Sequence, residues 1–352
     1  MPSQRDSFAD PADLGVHLVN VVALPVLARG FHDLVRGLRR DPDLARDLTT
    51  RGEDAVLGST GASGSLLRKA NAELVTPAER DAERAMREAV LRHHPEHTII
   101  GEELGHRPGG RLRWVFDPID GTGAMVRNAL AIAFDLDLGA TPPSFGITAA
   151  LVDDQTPVLG IVTELRPRVD TLVRAHTWVS SSAGLTTCDG RKVVPAQPPT
   201  SLAGATLATT VPEVMFNTPE RWSGYQALLD ATRGCLTGQN CVGFMRLLEP
   251  AGGVHVVYEA DLAYHDAAAL VPIVEGAGIR ITDDRGRALS FGESEIGCEF
   301  RLLAATPGLH GQALDRVLGG VDAARSRFQH QGTVHDGYAQ KFATDRDPGD
   351  HS

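Results

Sequence analysis

The sequence predicts an α/β fold, and three features carry that prediction. Over residues 205–318, short apolar runs with strand character alternate with segments of helical spacing, as strands covered by helices do. Ahead of them, the apolar stretches 145–152 and 158–164 flank Asp153-Asp154-Gln155 and read as paired strands. The run Trp114-Val115-Phe116 reads as a short buried strand that ends in two carboxylates, Asp117 and Asp120, separated by Pro118 and Ile119.

Taken in order, residues 1–11 are polar and read as a disordered start. Leu14, Leu18, Val21, Val22, Leu27, Phe31, Leu34 and Leu38 then recur at helical spacing. Asp13 is placed to cap that helix, and Pro25, which lacks an N–H, is expected to kink or split it. Residues 41–65 are a polar connection ending in a Gly/Ser-rich run. No Gly-Lys-Ser/Thr follows it, so it reads as a flexible linker, with a lid as the alternative. Thr76, Pro77 and Glu79 supply an N-cap, a first-turn proline and a capping box for a helix to about His94, with Ala82, Ala85, Met86, Ala89 and Val90 on one face. His93, His94 and His97 cluster at its end and read as partners of the helix dipole, with a metal site as the alternative. A short strand then delivers Glu102.

Beyond the carboxylates, 129–134 fits helix or strand, 172–179 is a strand, and Asp189-Gly190 signals a hairpin. The Pro-rich stretch 194–200 is the expected boundary between an N-terminal α+β lobe, 12–193, and a C-terminal α/β lobe, 200–322. The second lobe reads as strand 205–210, helix 219–232, strand 233–236, helix 242–251, strand 254–258, helix 266–276, strands 280–282 and 302–305, and helix 308–318. The tail 323–352 is expected to be disordered or loosely docked.

Composition narrows the function. A chain of 352 residues can bury a sizeable core as one large domain or two lobes. A net charge of −11 argues against nucleic acid as a partner, because no basic face is expected to dominate. The same acidity means that an anionic substrate needs a local positive centre, which a bound cation provides. No run of about 20 apolar residues stands in the sequence, so no membrane span is expected. The start Met-Pro-Ser-Gln-Arg-Asp lacks a signal-peptide pattern. Cys188, Cys235, Cys241 and Cys298 have no metal-ligand spacing and read as free thiols of a cytoplasmic protein.

The chemistry concentrates around Asp117. Pro118 fixes a turn that lets Asp117, Asp120 and the Ile119 carbonyl converge on one point. These are hard oxygens of the kind Mg²⁺ takes. Gly121-Thr122 follow with backbone N–H groups where a helix can begin, a seat for an anion. A hard cation beside a phosphate-sized anion seat is what metal-assisted phosphate chemistry needs. On this stretch alone, an ordinary Asp-Pro turn capped by Asp120 explains the residues equally well.

Three segments, in order, resemble the inositol monophosphatase superfamily of Mg²⁺-dependent phosphatases. They are Ile100-Gly101-Glu102-Glu103, Asp117-Pro118-Ile119-Asp120-Gly121-Thr122, and Asp266-Ala267-Ala268-Ala269-Leu270-Val271-Pro272-Ile273-Val274-Glu275-Gly276-Ala277-Gly278. The wording of the third is most similar to the bacterial histidinol-phosphatase branch. The resemblance implies a layered αβαβα sandwich and a phosphomonoesterase for a small-molecule ester: histidinol phosphate, inositol phosphate, or a related sugar or cyclitol phosphate. It implies two or three Mg²⁺ ions held by Glu102, Asp117, Asp120, Asp266 and the Ile119 carbonyl. In-line attack by a metal-activated water would be assisted by the Thr122 hydroxyl and Glu79. Gly121 and Thr122 N–H groups would hold phosphate oxygens, and Glu259, Asn240 and Gly123 would meet the substrate. Relatives are often homodimers, though no interface is readable here. Read from residues alone, Asp266 also suits an N-cap, Glu259 a strand-end surface acid and Glu103 a solvated acid.

The chain also departs from the pattern. Glu79 stands where the family has Asp, and Gln239-Asn240-Cys241 where Gly-Asp-Cys is expected. Gly123 and Met125 replace larger or aromatic residues, His265 an aromatic one, and Gly276 and Ile279 a second Glu and a second Gly. The metal set is kept while the pocket drifts, which predicts a substrate other than histidinol phosphate. The longer Glu79 leaves open a catalytically weakened member that binds or regulates.

Overall fold

Side chains alternate across a strand, and here both faces of both main sheets are apolar. In the computed structural model, residues 10–41, 67–68, 74–139, 142–181, 184–249 and 253–341 are described, of which 67–68, 74–75 and 327–341 are described by backbone alone. Among these, an eight-stranded sheet runs in the order Arg191–Lys192, Thr187–Cys188, Thr171–Ser181, Thr156–Arg168, Phe145–Asp153, Leu112–Asp120, Thr98–Gly101, Gly105–Arg107. A five-stranded sheet runs Gly234–Leu236, Thr206–Ala208, Val256–Leu262, Phe300–Ala305, Arg280–Thr282. The segment 194–200 lies between the last strand of the first sheet and the first strand of the second.

Trp114 and Phe116 face one side of the large sheet, packed with Leu18, Leu27 and Phe31 of the N-terminal helix Pro11–Arg40 and Met86 of the helix Pro77–His93. Val115 faces the other side, where Leu270, Ile273 and Val274 fill the space up to Val257, Leu302 and Ala304 of the small sheet. On the far side of that sheet, Tyr258, Leu303 and Ala305 pack against Tyr225 and Leu228 of the helix Pro219–Ala231 and Leu309 and Val317 of the C-terminal helix. The result is the expected α-β-α-β-α layering.

Several boundaries differ from the sequence reading. The first helix is capped by Asp10, not Asp13: the Asp10 carboxylate accepts the Ala12 N–H at 2.8 Å. Pro25 neither splits nor ends it. The π-helical turn Leu18–Ala23 just before it absorbs the misfit, with the Leu24 N–H reaching back to the Val19 carbonyl. Pro11–Arg40 is long and apolar enough to cross a membrane by length and composition, contrary to the expectation of no such segment. One face of it is nonetheless packed on the sheet. The expected helix 266–276 is two, Tyr264–Ala267 and Leu270–Gly276. The expected helix 308–318 runs Pro307–Lys341, so most of the expected loose tail is helical backbone. Residues 1–9, the connection 42–66 and the last residues 342–352 lie outside the described residues.

Candidate active site

Two parallel neighbours start the site. Thr98–Gly101 pairs with Leu112–Asp120 so that Gly101 lies opposite Phe116. Parallel strands end at the same edge, and the next residues, Glu102 and Asp117, therefore emerge side by side. The Glu102 N–H continues the ladder to the Phe116 carbonyl at 3.2 Å.

Asp117 and Asp120 are three residues apart, and in a regular strand they would face opposite ways. The register prevents this. Asp117 pairs with Thr148 and Asp120 with Gly146, so three steps on one strand match two on the other. The extra residue is a β-bulge at Pro118-Ile119, where proline has no N–H to lose from the ladder. The Asp117 carboxylate closes the bulge by accepting the Ile119 N–H at 2.9 Å.

Asp266 arrives from the other side of the molecule. It is not the N-cap that the sequence alone allows: it lies inside the one-turn helix Tyr264–Ala267, whose N-cap is Ala263, and its carboxylate reaches back to accept the Ala263 N–H at 2.7 Å. That bond does not exclude the ligand role. Carboxylate oxygens of Asp117, Asp120 and Asp266 lie within 4.8 Å of one another. Glu102 is hydrogen-bonded to Asp117, which completes the foursome expected from sequence.

The electrostatics follow from this crowding. Burial first, then Glu102 and Asp120, hold the Asp117 carboxyl well above the usual range. Burial, then Asp266, pushes Asp120 up to about 7, against a lowering hydrogen bond from Cys241. The charged neighbours that act most on Asp117, Glu102, Asp120 and Asp266, are acidic. Buried like charges without a counter-charge are costly. Carboxylates plus the Ile119 carbonyl are a hard-oxygen donor set, and it fits a divalent cation such as Mg²⁺.

Gly121 begins the helix Thr122–Phe134 in a left-handed conformation (φ 101°). Its second half, 129–134, readable as helix or strand from sequence, is helical. Its first-turn N–H groups, from Thr122, Gly123 and Ala124, lack intrahelical partners by geometry. The Thr122 hydroxyl donates to Glu79 at 2.6 Å and also faces the Ile119 carbonyl at 3.4 Å. Glu79 holds a second bond, accepting the Thr76 N–H at 2.5 Å as the capping box requires. Burial pushes its carboxyl up to about 8, partly offset by the bonds from Thr122 and Thr76.

The second sheet closes the site through backbone and amides. The Cys241 N–H donates to Asp120. Asn240 takes a left-handed conformation (φ 48°), and its side-chain amide donates to the Ser144 carbonyl at 2.6 Å, directly over Gly121. The Asn240 N–H donates to the Thr210 hydroxyl at 3.0 Å, and that hydroxyl donates to Glu259 at 2.9 Å. Glu259 is not a surface acid: it is 1% exposed, and the Thr210 N–H adds a bond at 3.1 Å. Gln239 is fully buried and bonds the Thr237 carbonyl. Gly123 is half-buried on the first helical turn.

Three other expectations resolve here. Glu103 is not solvated; its side chain is 1% exposed and faces Arg80 at 3.6 Å. His94 and His97 stack with ring centroids 4.4 Å apart, and both face Glu96. All four cysteines are free thiols. Sequence reasoning missed Thr210, Ser144 and Glu83, which support the site from behind. Glu83 had a signal, its place one turn after Glu79 on an otherwise apolar face. Thr210 and Ser144 had none.

The model of the inositol monophosphatase family matches residues 40–318. A bifunctional chloroplast phosphatase of Arabidopsis thaliana, IMPL2, is 27% identical, with 85% of this chain and 86% of the relative covered. A histidinol-phosphatase of Mycobacterium tuberculosis is 25% identical over 70% of this chain and 85% of its own length. Among solved structures, an inositol monophosphatase from Zymomonas mobilis superposes with a TM-score of 0.59 at 28% identity, covering 89% of this chain and 99% of its own.

Proposed function

The chain belongs to the inositol monophosphatase family, and on that premise we propose that it is a Mg²⁺-dependent phosphomonoesterase of a small-molecule phosphate ester. The observation that carries the proposal is the meeting of Asp117, Asp120 and Asp266 within 4.8 Å, beside the Thr122–Glu79 pair at a helix start. Glu102, Asp117, Asp120, Asp266 and the Ile119 carbonyl would hold the cations. Bound there, they supply a water of lowered pKa and positive charge opposite the phosphate oxygens.

The remaining work falls to the protein's own groups. Gly121, Thr122 and Gly123 offer backbone N–H groups to phosphate oxygens at the positive end of the helix. The Thr122 hydroxyl passes its proton to Glu79 Oε1 and takes one from the attacking water. Glu79 accepts that proton as its carboxylate, a form that burial, holding it near 8, lets dominate only above about that pH. The 2.6 Å contact favours this over a weakened binding protein, the alternative that Glu79 in place of Asp raises.

The organic part of the substrate meets neutral groups. Asn240 is a partly exposed amide, and behind it Gln239 and Glu259 are buried, Glu259 covered by Thr209 and Thr210. Hydroxyl-bearing esters such as inositol, sugar or cyclitol phosphates suit this wall better than the ammonium of histidinol phosphate. The test is phosphate release from purified protein, with and without Mg²⁺, over a panel of such esters. Mg²⁺-dependent release with polyol phosphates preferred is the expected result. Release from none of them overturns the enzyme, and exclusive hydrolysis of histidinol phosphate overturns the substrate class.

A further inference from the structure

We propose that Glu83 and Arg87 are positioning residues that clamp the Glu102 turn, so that cation affinity is set from the helix Pro77–His93. The proposal rests on the metal-dependent reading above and adds residues to it. Glu83 is 0% exposed, one turn beyond Glu79 on the same helix. Its carboxylate is aimed at the backbone that follows Glu102. One oxygen accepts the Glu103 N–H at 2.7 Å, and the other accepts the Leu104 N–H at 3.2 Å.

Arg87, four residues on, donates to the same Glu83 carboxylate at 2.7 Å and through a second nitrogen to the Gly105 carbonyl. One i,i+4 pair thus grips three consecutive residues, 103 to 105. On the other side, the carboxylate lies flat on Gly101, where a Cβ would come within 2.0 Å of a Glu83 oxygen. With the Glu102 N–H also tied to Phe116, the backbone of Glu102 is held from both sides.

An acid–base pair with its acid fully buried and its base partly so is weak evidence for stability, since desolvation offsets its attraction. Its specific effect is geometric. Glu83, which holds the turn carrying Glu102, stands on the same rigid helix as Glu79, about 6 Å along the axis at 1.5 Å per residue. Outer groups that orient metal ligands typically govern about 10- to 100-fold in affinity.

The experiment compares full-length wild type with Glu83→Gln and Arg87→Met. Mn²⁺ binding is measured by electron paramagnetic resonance without substrate, metal-free melting is followed in parallel, and the Mg²⁺ dependence of phosphate release is recorded. The expected result is a dissociation constant for Mn²⁺ raised roughly 10-fold or more in Glu83→Gln and by a smaller factor in Arg87→Met. Turnover at saturating Mg²⁺ should be largely kept, because Glu79 and Thr122 are untouched. Arg87→Met keeps the carboxylate with its two backbone donors, and it decides the matter if Glu83→Gln does not fold. Unchanged Mn²⁺ affinity with lowered melting overturns the proposal, as does lost turnover at saturating metal with unchanged affinity. A wild type that binds no Mn²⁺ overturns this proposal and the metal-dependent reading together. Shifted affinities in a protein that hydrolyses no ester uphold the clamp while overturning the phosphatase.

Discussion

Glu79 shows how much turns on one methylene. Its carboxylate spans two donors, the Thr76 N–H and the Thr122 hydroxyl, at 2.5 and 2.6 Å. A shorter acid at this position cannot hold both without moving the helix. Glu79→Asp should therefore lower turnover by about 10- to 100-fold, the cost of misplacing a reacting group by roughly 1 Å. A gain in turnover from a sluggish wild type would instead favour the binding or regulatory reading. Asp117→Asn removes the charge at the centre of the acidic cluster and should abolish Mg²⁺-dependent phosphate release, by more than about 10²-fold, since even supporting groups carry that much. The same variant should melt higher than wild type in chelator, because one buried like charge is gone. A lower melting point there would mean that the acids are already neutralised by some other means.

At the scale of elements, the bulge at Pro118-Ile119 and the left-handed Gly121 matter most. The bulge turns two acids of odd spacing onto one side. Gly121 then redirects the chain into a helix directly under Asn240. An alanine there would adopt φ near 101° and put its Cβ 2.5 Å from the Asn240 amide nitrogen. Gly121→Ala should cost about 1–3 kcal/mol of stability in urea melts, the range for a residue forced into such backbone, and should loosen the Asn240–Ser144 bond. A variant as stable as wild type would show that Asn240 moves aside freely. Much at this scale was legible. The helix start at Thr76-Pro77, the hairpin at Asp189-Gly190 and most strands follow from local propensity and turn chemistry. What failed was continuation: the C-terminal helix passes its expected end, and the expected helix 266–276 breaks in two. Local spacing does not say which neighbours will bury a face.

At the scale of the whole molecule, the site is a seam. Asp120 belongs to the eight-stranded sheet and is bonded by Cys241, while Glu259 on the five-stranded sheet fixes Thr210 and, through it, Asn240. Glu259 is buried with its carboxyl pushed from the ordinary 4.5 up to about 8. Between those values the folded chain holds a proton that the unfolded chain releases, so stability falls as pH rises from about 4.5 to 8. Metal-free protein should lose melting temperature across that window, and Glu259→Gln should flatten the slope; Glu79, Asp117 and Asp120 are raised in the same direction and leave a remainder. A slope that rises with pH, or one that Glu259→Gln leaves unchanged, would contradict the burial argument. Mg²⁺ at about 100 times its dissociation constant should stabilise wild type by roughly 2.7 kcal/mol, and Asp117→Asn by nothing measurable.

Sequence alone determined the α/β class and the Asp117–Thr122 turn, because those depend on residue type and short-range spacing. The four acids as a set, and Glu79 with Thr122 as a pair, came from the resemblance of three ordered segments to a family. The tertiary structure decided what surrounds them: that Glu259 is buried under Thr210, that Asn240 leans on Ser144, that Glu103 hides against Arg80, and that Glu83 and Arg87 grip the turn behind Glu102. Those contacts join residues from about 20 to nearly 100 positions apart, and they exist only once burial has stripped water from polar groups and left them to find their partners in the folded chain.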